Sequence, residues 1–333
     1  MKLLITGGAG FGGTNFIKYI LAKYPAWQIT NLDKLTYAGN LNNLQDITDN
    51  PNYHFVRGDI ADAEIVNKLL PNIDIVINYA AETHVDRSIL DPDAFMQSNI
   101  IGTYTLLEGL KKNPVQRFIQ ISTDEVFGSI TTGEFSEESP FKPNSPYAAA
   151  KASADLLCRA YYQTYQLPII ITHSCNYYGP YQYPEKLIPL LITNLLADQK
   201  IPIYGQGDNI REWIHTNDHA SAIATIIEKG QVGETYNIGT GDRCDNLTMA
   251  KLILQLLNKD ESYINYIADR PGHDWRYAIN NDKIKALGWQ PQIELTPGIT
   301  NLIQWYQDNK WWWQPIKSGE YLNYYNQQYG NKK

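Results

Sequence analysis

A doubly wound α/β fold, an open parallel sheet with helices on both faces, is the class this sequence predicts. Three observations point to it. Short, near-continuous apolar runs alternate with helix-length segments through the first half of the chain. The first run, "KLLIT", feeds directly into a glycine-rich turn and a helical pattern. An acid, Asp33, ends the second run about twenty residues further on.

The elements follow in order. Strands are expected at Lys2–Thr6, Trp27–Asp33, Tyr53–Asp59, Asp74–Ala80, Arg117–Thr123 and Pro168–Ser174, each apolar enough to be buried on both faces. Crossover helices fit the intervening lengths, as in "NFIKYILAKY" and "AAAKASADLLCRAYYQTY". After Cys175 the texture changes to prolines, glycines and the phrase "YGPYQYPEKLIPL", while "ETYNIGTG" reads as a strand returning to the sheet. From about Leu247 the tail carries scattered helices and an aromatic close. At 333 residues the chain exceeds the usual size of one core. A first domain over 1–175 is expected, with a return segment near 212–240. A smaller C-terminal substrate domain is expected from 176–211 and 241–333.

Composition narrows the function. A net charge of −7 argues against a nucleic-acid surface, although helix N-termini and a few local cations still hold phosphates on an acidic protein. The three cysteines, Cys158, Cys175 and Cys244, lie scattered without metal-ligand spacing, so neither a disulfide framework nor a metal site is expected. The chain opens directly on a strand, and its most apolar stretch, "LIPLLITNLLA", is too short to span a bilayer. The expectation is a soluble, reduced, cytoplasmic protein that binds neither membrane nor nucleic acid.

"LLITGGAGFGGTNFI" sets Gly7, Gly10 and Gly13 between a strand and a helix, where small residues let backbone amides approach a pyrophosphate. A glycine triplet by itself is a common turn. Directly after the first strand, and followed by Asp33 at the end of the second, it reads as a Rossmann-type dinucleotide site with Asp33 on the ribose. An acid there repels a 2′-phosphate and favours NAD over NADP; neighbouring Lys34 weakens that preference slightly. The spacing GxxGxxG resembles the extended short-chain dehydrogenase/reductase superfamily, which requires a Tyr-x-x-x-Lys pair after a strand ending in Ser/Thr. "YAAAK" supplies Tyr147 and Lys151 after Ser122-Thr123. The same spacing at Tyr19/Lys23, Tyr306/Lys310 and Tyr329/Lys333 lacks that position in the fold. A phenol with a reference pKa near 10 serves as a base at neutral pH only where cations favour its anion, and Lys151 lies one helical turn away.

Redox chemistry at a carbinol needs Tyr147, Lys151 and Thr123. Asp124 and Glu125, side by side at the same strand end, are surplus to it. A second reaction would use both. Once a hexose C4 is a ketone, its C5 proton is acidic; one carboxylate removes it while a protonated carboxyl gives its proton to the departing C6 hydroxyl. Like charges in contact separate two pKa values in this way. The plainer reading is that one acid caps the next helix or pairs with Arg or Lys.

"STDEVFG" resembles the signature of the dTDP-glucose 4,6-dehydratase family of rhamnose and deoxysugar biosynthesis. The likeness continues in "DKLTYAGNL" from Asp33, "AAETHVDRSI" from Ala80, "SPYAAAKA" from Ser145 and "YGPYQYPEKLIPL" from Tyr178. It runs on through "REWIHTNDH" from Arg211, "DRPGHDWRYAI" from Asp269 and "SGEYLNYY" from Ser318. This resemblance implies that Tyr147 and Thr123 handle the 4-hydroxyl proton, Glu125 the C5 proton and Asp124 the C6 hydroxyl, with Lys151 assisting. It implies NAD contacts at Gly7, Gly10, Phe11, Gly12, Gly13, Asp33, Lys34, Leu35, Thr36, Asp59, Ile60, Tyr79, Ala80, Ala81, Thr83, Ser98, Tyr147 and Lys151. Nucleotide-sugar contacts are implied at Thr83, Thr123, Asn176, Lys186, Leu187, Ile188, Pro189, Leu190, Pro202, Ile203, Tyr204, Arg211 and Asn246. The same role is implied for Asp269, Arg270, Pro271, Gly272 and His273.

Arg211 and Arg270 suit a diphosphate, or a surface salt bridge; His273 suits a ligand, or a structural role. The chain departs from the family pattern at Gly12, where a branched aliphatic is usual, and at His173 and Tyr177, where arginine and asparagine are usual. Thr83 replaces a serine, and Trp275 sits where a charge is common. A homodimer through helices near Val85–Leu110 and Tyr147–Tyr165 is implied as well. The competing readings are a UDP-sugar 4,6-dehydratase, a 4-epimerase, which would lack the Asp-Glu pair, and a non-catalytic NAD-binding regulator.

Overall fold

Strand-forming runs that alternate between two buried faces dictate the centre of the molecule. In the computed structural model, which describes residues 1–329, seven strands form one parallel sheet. They are β1 (Lys2–Thr6), β2 (Gln28–Asp33), β3 (Tyr53–Arg57), β4 (Ile75–Asn78), β5 (Arg117–Thr123), β6 (Ile169–Ser174) and, after three strands outside it, β10 (Thr235–Ile238). Their order is β10-β6-β5-β4-β1-β2-β3, so the chain reverses direction across the sheet between β1 and β4. In open α/β sheets ligands bind in the crevice outside the carboxyl ends of the strands at such a reversal.

Period-2 alternation sends Leu3 and Ile5 of β1 into one core and Leu4 into the other. The first core is completed by the helices Phe11–Lys23 and Thr216–Lys229, through Phe16, Ile17, Ile20, Ile223 and Ile226. The second is completed by Ala63–Leu69, Thr103–Lys112 and Pro146–Tyr165, through Val66, Leu106, Leu107 and Cys158. Burying a side chain of this size contributes roughly 1.5–3 kcal/mol, and strands covered on both faces gain it at every residue. One polar rung crosses this apolar sheet. The Thr6 hydroxyl donates to Asn78 Oδ1 (2.6 Å), and the Asn78 amide donates to Gln120 Oε1 (2.8 Å). These buried groups satisfy one another just below the carboxyl ends.

The strands expected at Tyr53–Asp59 and Asp74–Ala80 end earlier, at Arg57 and Asn78, because the chain then turns to line the crevice. Residues Asp59, Ile60, Tyr79, Ala80 and Ala81 belong to those turns. The segment "ETYNIGTG" does return, as β10 beside β6.

Two smaller sheets lie beyond. β7 (Asn176–Tyr178), β9 (Ile210–His215) and β11 (Arg243–Asp245) form one; β8 (Ile201–Tyr204) and β12 (Ile264–Ile267) form the other. Around them the helices Leu187–Leu196, Asn246–Leu256, Leu295–Asp308 and Lys310–Ile316 bury a separate apolar cluster that includes Tyr178, Leu191, Trp213, Ile253, Tyr306, Trp312 and Trp313. Lys333, of the Tyr329/Lys333 pair, lies outside the described residues. No helix among the described residues is long and apolar enough to cross a membrane.

Candidate active site

The glycine loop is shaped by what a side chain would strike. Gly7 has φ +68°, and a Cβ on it would lie 2.6 Å from the backbone of Ala80. A Cβ on Gly13 would run into the Gly7 carbonyl. Asp33, buried at the end of β2, ties this loop down: Oδ2 accepts from the Ala9 amide (2.9 Å) and Oδ1 from the Leu35 amide (2.8 Å). Burial raises its pKa, and those backbone donors oppose the rise. The helix Phe11–Lys23 begins at Gly10 with no side-chain cap and no acid in its first turn. Its leading amides are therefore left to an anion.

A cavity of about 310 Å³ opens above the loop. Gly7, Gly10, Phe11, Gly12, Gly13, Asp33, Lys34, Thr36, Asp59, Ile60, Tyr79, Ala80, Ala81, Thr83 and Ser98 line it. Leu35 does not; φ +59° there turns its amide back to Asp33. Lys34 pairs with Asp59 at 2.7 Å, so its charge is already engaged. A wide cavity over a glycine cradle, with an uncapped helix start and an acid at the second strand end, fits a dinucleotide.

The other end of the same cavity is lined by Thr123, Asp124, Glu125, Tyr147 and Lys151. Strand β5 delivers the first three. Thr123 ends the strand and its Oγ1 accepts from the Glu125 amide (3.3 Å), so Thr123, and neither acid, caps the short turn Asp124–Phe127. The helix Pro146–Tyr165 delivers the other two: Ser145 caps it, Pro146 opens it, and Tyr147 and Lys151 fall one turn apart. The Lys151 ammonium donates to the Ile121 carbonyl (2.5 Å). Burial lowers its pKa, with Asp155 opposing. Burial first, then Glu125 and Tyr177, push the Tyr147 phenol well above its usual value, and the Thr123 hydroxyl opposes them.

The two acids have different surroundings. Asp124 is 2% exposed, takes only a long bond from the Thr123 hydroxyl (3.3 Å) and leaves Oδ2 without a partner. Burial, then Glu125 and Glu212, push its pKa well up, with Arg211 the main opposing charge. Glu125 is raised by burial too, yet Arg270, Arg211 and Lys186 all act to keep it ionised. Burial and like charge thus hold Asp124 more strongly toward its protonated form, while the facing cations pull Glu125 toward the carboxylate.

Of the sugar-nucleotide residues, Thr83, Asn176, Lys186, Leu187 and Ile188 line this cavity. Lys186 donates to the Thr83 carbonyl (2.7 Å). Pro189 and Leu190, inside the helix Leu187–Leu196, and Pro202 and Ile203, in β8, are buried away from it. Asn246 starts the helix Asn246–Leu256 with its Oδ1 buried and unpartnered.

Arg211 stacks over Tyr277 (4.2 Å) and donates to the carbonyls of Ile210 (2.8 Å) and Asp274 (2.9 Å). Arg270 pairs with buried Asp86 at 2.7 Å, which also accepts from the Tyr204 hydroxyl (2.9 Å). Although burial alone would lower it, Asp86 raises the Arg270 pKa, so the guanidinium stays charged. Pro271 and Gly272 form an exposed turn, Gly272 at φ +64°. His273 meets Asp269 at 2.6 Å; burial, then Arg270, bring the imidazole down to about 4, so it is neutral at pH 7.

Several groups gained no role from the sequence. Glu185, which with Tyr37 lines the cavity, is buried and accepts from Arg87 Nε (2.8 Å) and the Tyr37 hydroxyl (2.7 Å). Tyr277 donates to Asp274 (2.7 Å) and lies 3.4 Å from Glu125 Oε2. Most of these residues fall inside the phrases that carried the resemblance. Of the departures, His173 is buried beside Asp155 (3.2 Å), edge-on to Phe127 and Phe141. Trp275 is exposed, and nothing in the structure explains it.

Comparison with known proteins agrees with this geometry. The family model described as GDP-mannose 4,6 dehydratase matches residues 4–302. A dTDP-glucose 4,6-dehydratase of Streptomyces niveus is 46% identical over 96% of each chain. The dTDP-glucose 4,6-dehydratase 1 of Escherichia coli K12 is 45% identical over the full length of both. The crystal structure of DesIV, a dTDP-glucose 4,6-dehydratase of Streptomyces venezuelae, was solved with NAD and dTDP bound. It superposes with a TM-score of 0.94 at 47% identity, covering 95% of this chain and 100% of that one. Likeness of this extent over nearly whole chains leaves one conclusion: the chain belongs to the sugar-nucleotide 4,6-dehydratases, in the family of the dTDP-glucose 4,6-dehydratases.

Proposed function

We propose that this chain converts dTDP-glucose to dTDP-4-keto-6-deoxyglucose as a step in deoxysugar synthesis, using NAD held by the first 175 residues. The observation that carries the reading is that Asp124 and Glu125 share one cavity with Tyr147 and Lys151 and are sorted electrically within it. When bound, NAD takes up the C4 hydride, later delivers it to C6, and in its oxidised form brings a positive charge near the Tyr147 phenol. Tyr147, with Thr123, accepts the 4-hydroxyl proton. Glu125 removes the C5 proton made acidic by the C4 ketone. Asp124 gives its proton to the C6 hydroxyl, which leaves as water, and Glu125 returns a proton to C5. No net oxidation results. Lys186, Arg211 and Arg270 supply the cationic side of the site for a diphosphate.

The remaining residues divide the work. Segments 176–211 and 241–333 build the lobe that receives the sugar nucleotide, and residues near 212–240 tie it to the sheet. Three free cysteines suit a reducing compartment, the cytoplasm. Exposed Tyr104, Leu156 and Tyr165, on the helices Thr103–Lys112 and Pro146–Tyr165, with Ile101 in the helical segment Met96–Gly102 that leads into the first, support a homodimer through that face.

Incubating the purified protein with C4-deuterated dTDP-glucose tests the reaction. Deuterium at C6 of a 4-keto-6-deoxy product is the expected result. Label retained at C4 with inverted configuration means a 4-epimerase, faster turnover of UDP-glucose means the other nucleotide, and bound NAD without turnover means a regulator.

A further inference from the structure

Gly12 and Tyr177, two of the positions that depart from the family pattern, meet in space. A Cβ on Gly12 would lie 3.2 Å from the Tyr79 ring, which would have to give by a few tenths of an ångström, and 3.7 Å from the Tyr177 ring, so a side chain that branches further meets both rings. Tyr177 is itself fixed. Its hydroxyl meets His219 Nε2 at 2.8 Å, and the two rings lie 4.2 Å apart at 36°. Burial brings the His219 imidazole down to about 3, so at neutral pH it is uncharged and one neutral hydrogen bond joins Nε2 to the phenol oxygen. Phe11 closes on the Tyr177 ring at 6.4 Å, and Tyr79 meets His219 edge-on at 6.0 Å.

The place of this cluster along the cavity matters. Gly12 belongs to the loop at one end, and Tyr177, in β7 just after the end of β6, lines the same cavity as Tyr147 at the other. A dinucleotide with its pyrophosphate on the loop and its redox ring at Tyr147 must lay the nicotinamide riboside past Tyr177. With its hydroxyl engaged by His219, Tyr177 presents a ring there rather than a hydrogen-bonding group.

We infer that Gly12, Tyr177 and His219 form one positioning unit for the nicotinamide end of NAD, in which the Tyr177 ring, with Tyr79, bounds the volume into which a branched side chain at 12 would extend and His219 fixes the ring's orientation. The inference rests on the proposed NAD site and makes positions 12 and 177 energetically coupled.

Calorimetric titration of the full-length, nucleotide-free protein with NAD and with ADP-ribose, which lacks the nicotinamide, tests it. For Tyr177→Asn, NAD affinity is expected to fall about tenfold while ADP-ribose affinity stays within about twofold. Gly12→Val should weaken NAD similarly, and Gly12→Val/Tyr177→Asn should recover to within about threefold of wild type, since the added side chain refills the space the ring has left. Tyr177→Phe keeps the ring and loses only the His219 anchor, so it folds where the others fail; a loss of about threefold for NAD alone is expected. Equal losses for NAD and ADP-ribose, no loss for either, or a double variant that multiplies the single losses would overturn the inference. A wild-type protein that binds ADP-ribose but not NAD would instead remove the NAD reading beneath it.

Discussion

Asp124 and Glu125 are chemically near-identical neighbours, and only their surroundings give them different work. Asp124 is enclosed with Glu125 and Glu212 near it, whereas Glu125 is faced by Arg270, Arg211 and Lys186. The consequence for stability has a definite sign. Between the ordinary aspartate value, about 3.9, and its raised native value, folded Asp124 holds a proton that the unfolded chain has released. Stability therefore falls as pH rises through that window. Asp124→Asn removes the effect, so its melting temperature should exceed that of wild type at pH 8, by the equivalent of about 1–3 kcal/mol, and converge with it near pH 4. Denaturation at the two pH values checks this; a constant difference would mean that Asp124 is ionised in the fold.

Glu125→Gln should cut water loss by about a thousandfold while C4 oxidation, read as absorbance of reduced nicotinamide, persists. Loss of both would make Glu125 structural. The acid pair itself was legible in "STDEVFG". The resemblance assigned the two proton roles, but the cause that separates the acids was not legible, because the charges facing Glu125 come from residues 61 to 145 positions away in sequence, from Lys186 to Arg270.

At the scale of elements, β1, the turn after it and the helix Phe11–Lys23 act as one device. The strand register brings Thr6 opposite Leu32 and Asn78, and the turn is pressed against Ala80. Gly7→Ala would place a methyl 2.6 Å from the Ala80 backbone and force an L side chain into φ +68°, costing about 2 kcal/mol or more. A lowered melting temperature together with loss of NAD binding is the expected outcome. Normal NAD affinity in that variant would show that the loop has slack the structure does not suggest. Strand and helix identities here were readable from composition, since an element buried on both faces is written in its own residues. Strand ends were less so: β3 and β4 stop at Arg57 and Asn78, and the next residues, Gly58-Asp59 and Tyr79-Ala80, serve the cavity wall instead.

At the scale of the molecule, the sheet lobe and the lobe around Trp213, Tyr306 and Trp313 meet along the crevice above β1 and β4. The helices Thr103–Lys112 and Pro146–Tyr165 cover one face of the sheet yet leave Tyr104 45% and Leu156 56% exposed. A homodimer burying that face predicts that Leu156→Glu, a surface change costing the monomer little, converts a two-chain species to one chain by light scattering. An unchanged mass would place the dimer contact elsewhere or nowhere.

By itself the sequence determined the parallel sheet, the glycine cradle, the Tyr147/Lys151 helix start and the acid pair, because each is a local pattern within one element or one turn. Tertiary structure decided the rest. It committed Arg270 to Asp86 and the Arg211 guanidinium to backbone carbonyls, moved Pro189, Leu190, Pro202 and Ile203 out of the cavity, and set Tyr177 over Gly12. Those outcomes depend on charges and volumes contributed by distant segments, and no local pattern carries that information.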